Sequence, residues 1–305
     1  MNFSADCLPF AQPGRFYRGN LHGHSTNSDG DWSPAEVIRQ YRQNGYDFVA
    51  ITDHFLDQYD YPITDTRGDR TDDFTTLIGA ELHHGALESG YLWHLLALGL
   101  PLDFAPYRVG ESTADVVTRA REAGAFLAAA HPNWYTLTLA DFETLGPMHA
   151  VECFNGNADR YNDRADSWHF IDMLLAREHR IGAIAVDDSH MRPGRDDFLR
   201  GWVHLKAASL SPDALIHALK AGHYYSSTGP ALHHVELTGR DILVIECSPA
   251  VQILVSGAGP IALQGSGSGL TGADFDISEF ESTWLRVTVR DEYSRRAWTN
   301  PVWLC

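Results

Sequence analysis

From residue 18 to about residue 207, short apolar runs rich in Val, Ile, Leu and Ala alternate with segments whose apolar positions recur every three or four residues. The first period belongs to strands and the second to helices, so the alternation predicts βα units around a largely parallel sheet. Strands are expected at 18–24, 48–54, 76–84, 94–100, 126–131, 150–155, 181–190 and 201–207. Between them, Ser33, Pro34 and Glu36 supply an N-cap, a first-turn proline and a capping-box acid before Val37, Ile38 and Tyr41, and Gly45 closes that helix. Further helices are expected over 112–124, 165–179 and 211–222.

Past Gly222 the pattern changes. Residues 223–230 read as a polar turn, and short alternating runs at 242–247, 251–255 and 284–289 are separated by the glycine- and serine-rich stretch 257–272. This predicts a small all-β module after the α/β part, with the boundary near 227–233, so that 1–226 form one unit and 227–305 another.

Composition narrows the function classes. The formal charge of −17, with Lys206 and Lys220 as the only lysines, argues against a protein that grips duplex nucleic acid through a basic surface. Cys7, Cys153, Cys247 and Cys305 are far apart and form no C-x-x-C pair, so neither a disulfide framework nor a thiolate zinc site is expected. The opening residues lack a basic segment followed by an apolar one, and no apolar stretch is long enough to span a bilayer. A soluble, cytoplasmic protein without a membrane partner is the expectation.

The chemistry is concentrated at the ends of the expected strands. His22 and His24 are two apart, which puts both imidazoles on one strand face, and Asp29 follows in the next loop. His54 ends the second strand, Glu81 lies near the end of the third, His94 begins the fourth, His131 closes the fifth, and Asp188 and His190 close the seventh, where their spacing again predicts a shared face. In an α/β barrel such strand ends converge on one surface. Imidazole and carboxylate together suit zinc, manganese or iron, and these residues are more than one ion can bind, so two or three divalent or trivalent ions are implied. Clustered metals lower the pKa of a water they hold and stabilise a leaving oxygen, which is hydrolytic chemistry. His84, His149, His169, His179, His204, His217, His223, His233 and His234 are read as packing or surface residues, and so is His83, although it shares a strand face with Glu81.

The segment from Leu21 to Gly30, with Thr52-Asp53-His54, Gly79-Ala80-Glu81, His94, His131-Pro132 and Asp188-Ser189-His190, resembles the motifs of the polymerase and histidinol phosphatase (PHP) superfamily over about two thirds of the chain. The resemblance implies a distorted seven-stranded, TIM-like β/α barrel and a trinuclear site. It implies that His22, His24, Glu81 and Asp188 hold one ion, that Glu81, His94 and His131 hold a second with Glu81 bridging, and that Asp29, His54 and His190 hold the third. The runs Tyr224 to Pro230 and Ala297 to Pro301 are similar to a stand-alone subgroup that ends in a β-rich module.

A phosphoesterase is therefore expected, with Glu81 and Asp188 central to catalysis through a metal-activated water, and with a small molecule, a phosphate ester or a nucleotide, as substrate. Arg192 and Arg195, just after His190, are candidate phosphate ligands, against a solvated pairing with Asp196 and Asp197. Asn155, Asn157, Trp134 and Tyr135 are candidate lining residues. The same ligands would serve hydrolysis of a carboxylic ester, amide or carbamate, and a non-catalytic metal-dependent binding module is the third reading.

Overall fold

The computed structural model describes residues 8–239 and 241–304. Cys7 and Cys305, with the first residues of the opening segment, lie outside that range, while Cys153 and Cys247 are buried free thiols. The chain begins with β1 (Arg15–Asn20), α1 (Pro34–Gln43), β2 (Phe48–Ile51), the short β3 (His54–Phe55), β4 (Thr75–Leu82) and β5 (Leu95–Leu98). It continues through α2 (Thr113–Glu122), β6 (Phe126–Ala129), α3 (Leu139–Glu143), β7 (Ala150–Asn155), α4 (Gly156–Tyr161), α5 (Trp168–Ala176), β8 (Gly182–Val186), β9 (Trp202–Ala207) and α6 (Pro212–Lys220). The remainder is β-structure: β10 (Tyr224–Ser227), β11 (Leu232–Thr238), β12 (Ile242–Ser256), β13 (Ala262–Asp276), β14 (Trp284–Arg290), β15 (Arg296–Thr299) and β16 (Val302–Trp303).

Helix ends follow local chemistry. Ser33, Ser112 and Ser211 each accept a hydrogen bond from the backbone three residues on, satisfying donors that the first turn leaves open. The capping box forms at Ser112 with Asp115, but Glu36 turns instead to Arg39 and Gln40.

The sheet departs from the expected parallel barrel in two places. β1, β2 and β4 pair in parallel, as do β6, β7 and β8, but β5 lies between the two groups antiparallel to both β4 and β6. A parallel crossover needs a long connection, usually with a helix; the residues between β4 and β5 hold none and fold back through a bridge from Ala86 to Leu92. The ladder is also not a closed barrel. β9 occupies the other edge of β1 along Arg15 to Gly19, so the extension of β8 meets the extension of β1 only in a single parallel bridge between Gly23 and Ser189. Two hydrogen bonds fix that junction, His24 N to Ser189 O at 2.8 Å and Asp188 N to His22 O at 3.0 Å, and they set two candidate ligand segments side by side.

Alternation along the strands sorts their side chains into two cores. Leu96, Leu98, Phe126, Ala128 and Ile184 pack on one face, whereas Leu95, Ala97, Leu127, Ala129 and Val151 pack on the other with Val116, Val117, Ile171 and Leu174 of α2 and α5. A sheet buried on both faces reads as a continuous apolar run, which is why these strands stand out. Each such side chain contributes about 1.5–3 kcal/mol on burial.

The C-terminal strands continue the same sheet through β9, β10, β15, β14, β12 and β11. The expected polar turn at 223–230 contains β10, where Ser226 Oγ donates to Ala183 O and accepts from Ala185 N. The runs at 242–247 and 251–255 are one strand, β12, and most of the glycine-rich stretch is its partner β13. β13 is largely exposed and, among the described residues, pairs only with β12, so no buried face imposes an apolar alternation on it. Val235, Leu243, Ile245, Ile253 and Val287 form a separate core here, whereas Trp284 and Trp298 join the core beneath α5. No helix among the described residues is long and apolar enough to cross a membrane.

Candidate metal centre

Three strands stop short of their ligand candidates: β1 ends at Asn20, β6 at Ala129 and β8 at Val186, leaving His22, His24, His131, Asp188 and His190 on the extensions beyond, whereas His54 and Glu81 lie within β3 and β4. His22 and His24 flank the Gly23 bridge, so the strand alternation persists there and their Nε2 atoms face each other at 3.2 Å. Asp188 Oδ1 completes this nest, 3.2 Å from His22 Nε2 and 3.0 Å from His24 Nε2. A second nest joins Asp29 to His54 and His190, with Asp29 Oδ1 at 3.2 and 3.4 Å from their Nε2 atoms, and His24 lies close enough to share it. In the third, Glu81 Oε1 stands 2.9 Å from His94 Nδ1 and 3.2 Å from His131 Nε2.

Glu81 links the nests. Its other oxygen, Oε2, lies 3.6 Å from both His22 Nε2 and His24 Nε2 and 2.7 Å from His54 Nδ1. All nine residues expected from the motifs are thus brought together. His83, read from sequence as packing, also belongs here: its Nε2 is 3.2 Å from Glu81 Oε2 and 2.8 Å from His54 Nδ1. The two-residue spacing from Glu81 was the signal: β4 ends at Leu82, and His83 follows directly, still on the side of Glu81. Asp188 and His190 do not act as a same-face pair. Asp188 has a φ of 54°, which turns the chain, so His190 Nε2 faces Asp29 while its Nδ1 meets Asp188 O at 2.9 Å. His131, with a φ of 28°, is a second non-glycine residue held in the left-handed region, at a cost of order 1–3 kcal/mol each.

Donor chemistry in these nests suits cations. Glu81 Oε2 and Asp29 Oδ1 are buried and accept no hydrogen bond of good geometry, although imidazole nitrogens surround both. Ligand atoms about 2.0–2.3 Å from one ion lie roughly 3–4 Å apart, the spacing seen here. Electrostatics agree. Burial opposes charge on His54, yet Glu81 and Asp29 raise its pKa to about 10, and Asp188, Glu152 and Glu81 likewise lift His22 well above the usual imidazole range. The carboxylates thus favour protons on His54 and His22, which a cation must displace to bind, whereas burial and the neighbouring imidazoles hold His24 well below the usual range.

Two neighbouring acids are structural. Asp53 accepts from Ser25, Ser28 and Thr64 hydroxyls, and Asp187 accepts from Tyr41 and the backbone of Leu199, Arg200 and Gly201.

A cleft of about 310 Å³ opens over the cluster, lined among others by Trp134, Tyr135, Asn157, Tyr161, Arg192 and Arg195. Arg192 donates to Asp29 Oδ2 and to its carbonyl, and Arg195 donates to Asn157 Oδ1 and lies over the Tyr161 ring, so neither pairs with Asp196 or Asp197. Asn155 does not line the cleft. It is buried, with Nδ2 bonded to Glu152 and Asp188 and Oδ1 capping α4. Glu152 was missed from sequence, though one acid inside the apolar run Ala150-Val151-Glu152-Cys153 is a signal in itself. Tyr161 was missed because one exposed aromatic carries no pattern.

No protein-family model and no curated protein matches the chain. Among solved structures it is similar to a two-domain protein containing a predicted PHP-like metal-dependent phosphoesterase from Bacteroides vulgatus, at 14% identity over 92% of this chain and 93% of that one, with a TM-score of 0.53. Matches of lower score are a putative metal-dependent phosphoesterase from Bifidobacterium adolescentis, 17% identical over 58% of this chain and 90% of that one with a TM-score of 0.42, and an amidohydrolase from Chromobacterium violaceum, 17% identical over 58% and 88% with a TM-score of 0.40. The Bacteroides vulgatus match spans both the α/β part and the C-terminal strands, and this chain therefore shares that protein's fold along most of its length.

Proposed function

We propose that this protein is a metal-dependent hydrolase acting as a phosphoesterase on a small molecule. The observation that carries the reading is Glu81, whose two oxygens face different sets of imidazoles at the floor of an open cleft. In this reading His22, His24, Asp188 and Glu81 hold one ion, Glu81, His94 and His131 a second, and Asp29, His54 and His190 a third, with zinc, manganese and iron all compatible with the donors. Ions bound there supply Lewis acidity and bring the pKa of water toward neutrality.

The chain's own residues do the rest. Arg195 extends into the cleft as a donor for an anionic group, while Arg192 is engaged in offsetting the charge of Asp29. Trp134, Tyr135 and Tyr161 wall the cleft and keep bulk water from the reacting bond. The volume of about 310 Å³ suits a small ester or a nucleotide and leaves no room for a duplex. One observation favours a carboxylic ester, amide or carbamate instead: with Arg192 tied to Asp29, a single arginine among the described cleft residues is left to receive a phosphate.

The test is a screen of metal-loaded and chelated protein against phosphate monoesters, phosphodiesters and carboxylic esters. Metal-dependent release of phosphate is expected. Turnover of carboxylic esters or amides without phosphate release would replace the phosphoesterase reading with the second one.

A further inference from the structure

Glu152 sits in the middle of β7 with no exposed surface, between Val151 and Cys153, which pack into the core beneath α5. A carboxylate there must be compensated, because desolvation of an unpaired charge is costly. Three donors meet its two oxygens: His22 Nδ1 lies 2.7 Å from Oε1, and the His131 backbone N and Asn155 Nδ2 approach Oε2 at 2.7 and 2.8 Å. Asn155 Nδ2 also reaches Asp188 Oδ2 at 3.2 Å. Each donor is therefore part of, or bonded to, a candidate ligand, and those ligands belong to two different nests and follow three different strands. Nothing in the packing of β7 calls for an acid at this position.

We propose that Glu152 is a positioning residue that organises two of the three ion sites together, an inference that rests on the metal centre proposed above. Its Oε1 holds the Nδ1 proton of His22, so the nitrogen left for a cation is Nε2, which faces His24 and Asp188. Its Oε2 fixes the His131 backbone, whose positive φ needs an external anchor, and through Asn155 it orients Asp188. The nest of Asp29, His54 and His190 shares no hydrogen bond with it among the described residues.

Glu152→Gln separates positioning from filling space. An amide of the same shape has one acceptor oxygen. If that oxygen serves His131 and Asn155, the amide NH2 meets His22 Nδ1 and favours the tautomer that blocks Nε2; if it serves His22, the NH2 confronts two donors. Zinc binding to the full chain, followed by equilibrium dialysis, should weaken about 10–100-fold at two sites and stay unchanged at the third, as loss of an outer partner of metal ligands does. In zinc-loaded wild-type protein, 15N histidine spectra should show His22 ligated through Nε2 with Nδ1 protonated, a reading that stands even if the variant does not fold. Wild-type affinity in Glu152→Gln, or His22 ligated through Nδ1, would overturn the proposal while leaving the metal centre in place. Wild-type protein that takes up no zinc would overturn the metal centre and this proposal together.

Discussion

Asp188 carries three demands at once: its Oδ1 faces His22 and His24, its backbone N donates to His22 O across the strand junction, and its φ is positive. Replacing it with asparagine keeps the shape and the backbone hydrogen bond but removes the charge. Asp188→Asn should leave the far-ultraviolet circular dichroism unchanged and lower turnover by roughly 100-fold or more, beyond the 10–100-fold typical of an outer-shell partner. His24→Ala should behave alike, with less bound metal and an intact sheet, because His24 lies on an extension beyond β1 and outside the apolar cores. Metal analysis beside the activity assay checks both variants, and full activity with full metal content in either would dismiss the ligand assignment.

Histidine also provides a residue whose protonation bears on stability away from the centre. His204 in β9 accepts a hydrogen bond from Trp202 Nε1 at 3.0 Å and stacks on Tyr225 at 4.7 Å. Burial, with the nearby Arg18 charge, holds its pKa down at about 3. The unfolded chain takes up that proton as pH falls through about 6.5, whereas the folded chain resists it until about 3. Stability is therefore complete above the unfolded pKa and declines as pH falls across that window. Between pH 7 and pH 5 this one residue should remove roughly 1–2 kcal/mol. Urea titrations of His204→Gln should show a shallower loss over that range, and an unchanged slope would rule this explanation out.

Among the elements, the junction between the α/β part and the C-terminal strands is the most informative. Asn300 Oδ1 accepts from Ala183 N in β8, Trp298 packs 6.0 Å from Trp168 of α5, and Arg286 lies over that same Trp168 while pairing with Asp172. The run from Ala297 to Pro301, prominent in sequence, thus seals this junction. Trp298→Ala should cost about 3–5 kcal/mol, measured by denaturant unfolding of the whole chain. A loss below 1 kcal/mol would mean that the two parts are joined only loosely.

What could be read in advance follows from which forces leave a periodic trace. Strands buried on both faces, such as β5 and β6, appear as apolar runs, and the candidate ligands appear as a series of His, Asp and Glu at strand ends. The direction of β5 leaves no such trace, since it depends on how the chain between His83 and His94 folds back. β13 was illegible because glycine and serine on an exposed strand have no face to mark. The interruption of the barrel was illegible too, because it turns on β9 competing for the edge of β1, a contact between elements far apart in sequence. Glu152 was visible as an acid among apolar residues, but its three partners come from distant parts of the chain.

For the molecule as a whole, the formal charge of −17 and the convergence of Asp29, Glu81 and Asp188 mean that bound cations relieve repulsion where it is most concentrated. Ions that bind the folded chain and not the unfolded one stabilise it by mass action, by about 2.7 kcal/mol at a hundredfold excess over Kd. Chelation should therefore lower Tm by roughly 5–10 °C, and readdition of metal should restore it. Calorimetry of loaded, stripped and reloaded protein reads this directly, and an identical Tm in all three would show that the cluster takes up no ion in the folded state.

A multinuclear centre bridged by Glu81 would show itself in metal stoichiometry per folded chain, compared across the wild-type protein, Glu81→Gln and Asp29→Ala after identical loading. Glu81→Gln keeps the shape and loses the charge that offsets repulsion between neighbouring cations, so two ions should be lost together, whereas Asp29→Ala should empty one site. Two to three ions in the wild type with that unequal loss is the predicted result; no bound ion in the wild type, or an equal loss of one ion from each variant, would contradict it.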